Sequence, residues 1–458
     1  MDPQLLALCV LGGALLLLVL RVPIAYCLGL AACVGLLLFF SWRPGAEADL
    51  ARGLAPTLSI VGSTAFGFVH NYPLSMIPLF VGLGHVAYQA RITTDLFDAL
   101  QVWTARLPGG LAIASVLGCG GFSAITGSSV ACASAMGRIA VPEMLRHGYR
   151  PTLATGSVAA GGTLGSLIPP SLLFVIYAIF TDQSVKNLFL AGILPGLLSL
   201  AGFVATILIW VRLQPAAAPR AGQGGSGEAW AEAPHFTAEQ RLAALGKLWP
   251  VVALLLVIVG GIYLGIFTPT EAAAVSLAMA IAIGVLRGNL TRAGMKEALS
   301  VTARQTAMIF VIAMGAKLFV SFISLTRVTP AALEWLQGTG ADPALVILGV
   351  VVFYLLIGMV LDSIGILVLT LPFMVPLVEG YGFDLVWFGV VVIKLLEVGL
   401  ITPPIGLNVF VIKACSPSGI PLEQIFRGVA AFLVLDLLVL AAILLVPEIS
   451  LWLPSLAR

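Results

Sequence analysis

Charged residues are scarce in this sequence: Lys and Arg number 23 and Asp and Glu 21 among 458 residues, 10% together. With 60% hydrophobic residues and a mean hydropathy of +1.09, that scarcity excludes a soluble globular protein and leaves a polytopic membrane protein. A net charge of +2 says little by itself, and the placement of Lys and Arg matters more; no nucleic acid is expected as a partner. Histidine is rarer still, and His70, His85, His147 and His235 have no ligand spacing. The cysteines (Cys9, Cys27, Cys33, Cys119, Cys132, Cys415) lie in or beside apolar runs without a CxxC pair. They read as small core residues, not metal or redox groups. A Gly-rich Lys-Ser/Thr phosphate loop is absent, which removes ATP as the energy source. A basic n-region is absent too, because Asp2 stands where one would begin. The first apolar run is therefore a membrane helix and not a cleaved signal. An integral-membrane transferase would need clustered acidic metal ligands or a nucleophile–base pair, and the intramembrane carboxylates are scattered.

What is present is polarity in unexpected places. Between Thr126 and Ser171 an apolar region carries Thr126-Gly127-Ser128-Ser129, then Ile139-Ala140-Val141-Pro142, then Gly165-Ser166-Leu167-Ile168-Pro169-Pro170-Ser171. Two adjacent prolines remove two backbone donors and clash with the preceding turn, so a helix reaching Pro169 must break. In a bilayer such a break is tolerated only when buried in protein or facing a polar cavity. The arrangement returns at a fixed offset of 234: Pro142 maps onto Pro376, Gly165 onto Gly399, Pro169 and Pro170 onto Pro403 and Pro404, and Ser128-Ser129 onto Asp362-Ser363. Duplicated Gly/Pro-interrupted apolar segments point to the binding site of a secondary transporter.

The expected fold is all-α, with two inverted-topology repeats, each of about five transmembrane helices plus one re-entrant hairpin. Residues 1–212 form the first repeat, 213–247 a linker with its Gly/Ser-rich centre at 222–227, and 248–458 the second. The first repeat has spans near 4–20 and 23–41, and an exposed turn or interfacial helix over 43–56 that includes Arg43 and Glu47. A stretch over 57–90 is interrupted at Asn71-Tyr72-Pro73. An amphipathic 91–108, a hairpin over about 109–146, a broken helix over 151–181 and a span over 187–211 follow. Each hairpin arm, about 16 residues, falls short of the roughly 30 Å hydrocarbon core at 1.5 Å per residue. The second repeat has spans near 248–266 and 271–286, an amphipathic 290–303, a span 305–326 and a polar turn at Gly338-Thr339-Gly340. Its hairpin covers about 343–378, its broken helix 384–414 and its last span 422–446. An odd number of spans per repeat inverts the second half. If the first hairpin opens to the cytoplasm, sixteen Lys/Arg fall inside, Arg21 and Arg220 among them, against Arg43, Arg52, Lys186, Arg327 and Arg458 outside, as the positive-inside rule requires.

Free carbonyls and hydroxyls at a hairpin tip and a helix break are hard oxygen ligands suited to a small cation, while half-helix N-termini favour an anion. The first expected sodium site has Thr126, Gly127, Ser128 and Ser129 facing Gly165, Ser166 and Ile168. The second has Leu361, Asp362, Ser363 and Gly365 facing Gly399, Thr402 and Pro404. A small anionic substrate sits between the tips, with Pro169, Ser171, Pro403 and Asn408 as candidate contacts. At least two sodium ions are therefore expected. Asp362 reads as a ligand of the second site, against a plain helix cap. Lys394 and Glu397, spaced i to i+3, are expected to pair on one helix face. Lys317 either attracts the anion or snorkels.

Thr126-Gly127-Ser128-Ser129, the run Ala159 to Ser171, Phe189-Leu190-Ala191-Gly192-Ile193-Leu194-Pro195-Gly196, Thr268-Pro269-Thr270-Glu271-Ala272 and Ile401-Thr402-Pro403-Pro404-Ile405-Gly406 together resemble the large membrane (M) subunit of TRAP transporters, the DctM-like permeases. The resemblance covers essentially the whole chain. It implies an elevator-type, sodium-coupled importer, multi-pass in the bacterial inner (cytoplasmic) membrane, and no enzyme activity. It further implies a periplasmic substrate-binding protein and a small four-helix membrane (Q) subunit as partners, the latter expected as a separate chain, within the lipid bilayer. Substrates of the family are mostly carboxylates, including C4-dicarboxylates and sugar acids such as sialic acid. A stand-alone sodium-coupled carboxylate transporter is the nearest alternative.

Overall fold

The computed structural model describes residues 2–20, 22–42, 49–218, 236–417 and 419–456, and every regular element among them is helical. Arg21, Arg43, Glu47, Arg220, Arg458 and the linker centre 222–227 lie outside the described residues.

α1 (Pro3–Val19) starts behind Asp2, whose carboxylate accepts from the Gln4 amide, and α2 (Ile24–Ser41) follows Pro23. α3 (Leu50–Val69) is capped by Asp49. The chain then turns 58° through a 3₁₀ turn at Tyr72–Ser75 into α4 (Met76–Gln89), at the Asn71-Tyr72-Pro73 interruption. α5 (Ile92–Thr104) is amphipathic, as expected. α6 (Gly110–Thr126) and α7 (Ser129–Arg146) form the first hairpin. α8 (Pro151–Leu167) and α9 (Leu172–Thr181) are the halves of the first broken helix, and α10 (Val185–Leu213) closes this half.

α11 (Ala238–Lys247) lies at the end of the stretch read as linker; a capping box between Thr237 and Gln240 starts it, and it packs on α5. α12 (Trp249–Leu255) passes through a π turn at Leu256–Gly260 into the short α13 (Gly261–Tyr263). α14 (Pro269–Leu286) begins at a second capping box, Thr268 with Glu271. The expected amphipathic segment 290–303 and span 305–326 are one helix, α15 (Arg292–Thr326), 35 residues long. No glycine or proline interrupts it between residues 295 and 314, so the change in polarity there marks where it leaves the membrane and not a break. At 1.5 Å per residue it is about 50 Å long, which exceeds the hydrocarbon core. α16 (Val328–Gly338) was not foreseen. α17 (Pro343–Gly358) and α18 (Ser363–Gly380) form the second hairpin, and α19 (Leu385–Ile401) and α20 (Leu407–Cys415) the second broken helix. α21 (Leu422–Leu445) is followed by an unforeseen α22 (Glu448–Leu456) against α10.

Seven helices among the described residues are long and apolar enough to cross a membrane, or up to nine if each bent pair is one span. Ten were expected. α1 and α19, at 17 residues each, fall just short of that length, while the hairpin arm α18, at 18, reaches it. α7 and α18 start and end 234 residues apart (129 to 363, 146 to 380), as do α8 and α19 (151 to 385, 167 to 401).

α8 is the centre of one helix group, surrounded by α6, α7, α19 and α21. Nearly all of it is buried, and Gly156, Gly161, Gly162 and Gly165 let those neighbours come close, as small residues do in membrane helices. A second group packs α15 on α2 and α4, and α14 on α4. The groups meet where α4 lies along α6.

Candidate functional site

The first hairpin turns at Gly127, whose φ of +62° is open to glycine and strained for other residues. Its amide donates to Ser123 O, and its carbonyl accepts from the Leu172 amide at 3.0 Å. The tip is thereby tied to the broken helix. Ser128 caps α7, and Thr126 bonds back to Phe122 O at 3.2 Å. A Cβ on Gly165 would stand 2.6 Å from Ser128 C and Ser129 N, so the tip backbone rests directly on α8. Ser129 Oγ lies 2.8 Å from Ser166 Oγ. Thr126, Gly127, Ser128, Ser129, Gly165 and Ser166 are thus brought together. Ile168 turns its side chain onto Gly196 of α10.

A residue from the other half completes this cluster. Ser129 Oγ donates to Glu397 Oε2 at 2.6 Å across 268 residues of sequence, which leaves Ser166 as donor to Ser129. The expected Lys394–Glu397 pair does not form. Lys394 Nζ is bound to Asp436 on α21 and to Ser199 Oγ on α10 at 3.0 Å. The reason is helix orientation: α19 packs between α8 and α21, so residues three apart along it face different neighbours. Lys317 lies 5.8 Å from the centre of the Phe180 ring, a cation–π contact.

The second tip is built differently. Asp362 caps α18, its Oδ2 accepting from the Gly365 amide at 3.0 Å. Gly399, the counterpart of Gly165, does not meet the tip: a Cβ there would stand 2.6 Å from Gly358 O, one turn earlier. Gly365 faces Ile24 of α2, and Thr402 Oγ1 bonds back to Val398 O at 2.6 Å. Leu361, Asp362 and Ser363 are half-buried, and Pro403 and Pro404 are exposed where Pro169 and Pro170 are buried. The first set of expected ligands is packed together; the second is more open.

Beside the first tip, between the two helix groups, is a cavity of about 300 Å³. Thr126, Ser128 and Leu172 line one side, with Arg138 further along α7; His85 and Gln305 face them from α4 and α15. His85 Nε2 and Gln305 Oε1 hydrogen-bond at 3.0 Å, joining α4 to α15. Arg138 is exposed and takes part in none of the ion pairs or side-chain hydrogen bonds found among the described residues. Glu297 lines the same cavity; a guanidinium beside hydroxyls, at a volume at the lower end of small-molecule sites, suits a small carboxylate held on the Arg138 side, away from that acidic group.

The model of the tripartite ATP-independent periplasmic transporter, DctM component, matches residues 11–449. The chain belongs to the DctM family of TRAP large permeases. It is 33% identical to the C4-dicarboxylate TRAP transporter large permease protein DctM of Pseudomonas aeruginosa, over 93% of both chains. It is 31% identical to the sialic acid TRAP transporter large permease protein SiaM of Vibrio cholerae, over 87% of this chain and 90% of that one. These relatives are permeases, and this DctM-family chain is a multi-pass transporter component, not an enzyme. The YdaH transporter of Alcanivorax borkumensis shares the fold, with a TM-score of 0.62 at 15% identity over 99% of both chains.

In this DctM-family chain the remaining expected contacts lie inside the helix packing. Ser171, 1% exposed, caps α9 by accepting from the Phe174 amide at 3.3 Å. Pro169 is buried just before it. Asn408, fully buried, donates to Ala159 O at 3.5 Å, joining α20 to α8, and its Oδ1 has no partner among the described residues. Sequence reasoning missed Glu397 as a neighbour of the first tip and Arg138, His85 and Gln305 as cavity walls. Only Glu397 carried a signal, an acidic residue two positions before Gly399.

Proposed function

We propose that this chain is the large permease of a TRAP transporter that imports a small organic anion, a carboxylate or sugar acid, across the bacterial inner membrane. A periplasmic binding protein delivers the substrate, sodium drives uptake, and a small four-helix subunit completes the membrane complex. The observation that carries this reading is the cavity beside the first tip, where Thr126 and Ser128 share a wall with the unpaired Arg138. Hydroxyl and carboxylate oxygens (Thr126, Ser128, Glu297) and a cationic group at one cavity suit co-binding of sodium and an anion. The printed substrates of the two relatives, a C4-dicarboxylate and sialic acid, are both carboxylates.

The recurrence of α7–α8 as α18–α19 at a constant offset supports inverted repeats, with one sodium ion at each tip. The division into a group around α8 and a group around α15 supports an elevator in which the first moves against the second. Uptake into proteoliposomes holding both membrane subunits tests the proposal. It is expected to require the binding protein and to rise with external sodium at a Hill slope above one. Sodium-independent uptake refutes the coupling, and uptake without the binding protein favours a stand-alone carrier.

A further inference from the structure

Three ionisable side chains are fully enclosed around α19. Lys394, Glu397 and Asp436 are each no more than 1% exposed. Lys394 is satisfied by Asp436 and Ser199, so it does not neutralise Glu397 by direct contact. With all three groups ionised, two carboxylates and one ammonium leave the cluster one positive charge short. An uncompensated buried charge costs several kcal/mol, by order of magnitude, unless a counter-charge joins it. Glu397 holds only half of its acceptor capacity: Oε2 accepts from Ser129, while Oε1 is buried with no hydrogen-bond partner among the described residues.

We propose that Glu397 is the anionic ligand of the first cation site, and that one sodium ion bound there by Ser129, Ser166 and Glu397 restores neutrality to the buried cluster. The inference rests on the sodium coupling proposed above and assigns it a charge-bearing residue from the opposite half of the chain. Carboxylate and hydroxyl oxygens are hard donors suited to a small, hard cation. Ser129 Oγ already stands within 2.8 Å of both Ser166 Oγ and Glu397 Oε2. A proton on Oε1 would also remove the charge, so proton and sodium compete for this oxygen, which has no hydrogen-bond partner among the described residues. Sodium uses the same oxygen as an acceptor. Because Ser129 and Ser166 lie on α7 and α8 and Glu397 on α19, the ion would tie the two halves together.

The experiment uses the full chain with its small membrane subunit in lipid nanodiscs, without substrate. It reads the rise in thermal unfolding midpoint as sodium replaces potassium at constant ionic strength. In E397Q, which keeps the shape and loses the charge, the sodium concentration for half of the rise is expected to increase by about tenfold or more, since loss of even an outer-shell partner weakens metal binding by about that factor. The double variant K394M/D436L removes an opposite-charged pair and leaves Glu397 charged, so its sodium midpoint is expected to stay within about twofold of wild type. If E397Q does not fold, S166A and E397D are read instead, each expected to raise the midpoint. An unchanged sodium midpoint in E397Q, or in both substitutes, overturns the assignment. So does a sodium response that follows Lys394–Asp436, or an E397Q protein that loses only a pH dependence, which marks a proton site. A wild-type protein with no sodium response at all refutes sodium coupling itself, which is a different failure.

Discussion

Gly165→Ala adds one methyl group where the first tip rests on α8. Its Cβ would lie 2.6 Å from Ser128 C and Ser129 N and 2.7 Å from Ser128 O. Carbon contacts are optimal at about 3.5–4.0 Å, so the start of α7 must retreat by about 1 Å. All three atoms are backbone and cannot rotate aside. Overpacking of this kind costs about 1–3 kcal/mol, against about 1 kcal/mol gained from replacing glycine within a helix. The net expectation is a loss of about 0–2 kcal/mol. The larger effect falls on the site, because a retreat of that size stretches the 2.8 Å Ser129–Ser166 contact beyond useful hydrogen-bonding distance. Gly349→Ala on α17 is the control, since a Cβ there meets nothing within 4 Å. It is expected to be neutral or stabilising, by up to about 1 kcal/mol. Thermal unfolding with and without sodium, together with uptake in proteoliposomes, reads both variants. A Gly165→Ala protein as stable as wild type with an unchanged sodium midpoint would refute the argument.

Asp436→Leu leaves the Lys394 ammonium buried with Ser199 as its remaining partner and is expected to cost about 3–5 kcal/mol, whereas K394M/D436L is expected to be neutral or stabilising; equal thermal losses in the two variants would contradict the pairing. Asp362→Asn keeps a competent cap, since Asn and Asp serve almost equally at that position. Thermal stability without sodium should hold while uptake needs more sodium, and an unchanged sodium requirement would reduce Asp362 to a cap. Burial pushes the half-buried Asp98 carboxyl of α5 above its ordinary range, opposed by Lys247 and reinforced by Asp95 and Glu143. A raised carboxyl destabilises the fold as pH climbs through its folded value. Asp98→Asn should therefore stabilise the protein at neutral pH and not below the ordinary carboxylate range; a pH-independent difference in unfolding midpoint would refute this.

The breaks were legible in the sequence because their causes are local. Asn71-Tyr72-Pro73 bends α3 into α4, Gly127 turns the first tip, and Pro169-Pro170 separates α8 from α9, each through a missing donor or a permitted dihedral. The family was legible for the same reason, since its motifs sit at those breaks. Local reasoning failed where geometry depends on how helices are rotated against one another. Lys394 and Glu397 are neighbours in sequence, yet Lys394 found Asp436 on α21 and Glu397 found Ser129 on α7. A change of polarity near residue 304 read as a boundary because hydropathy records the surroundings of a helix and not its continuity. The tips, matched by offset, rest on different parts of their broken helices, Gly165 against Ser128 and Gly399 against Gly358. Repetition in sequence conveys which residues correspond; how far each hairpin has slid along its partner is set by side chains packed from other helices, and only the tertiary structure decides it.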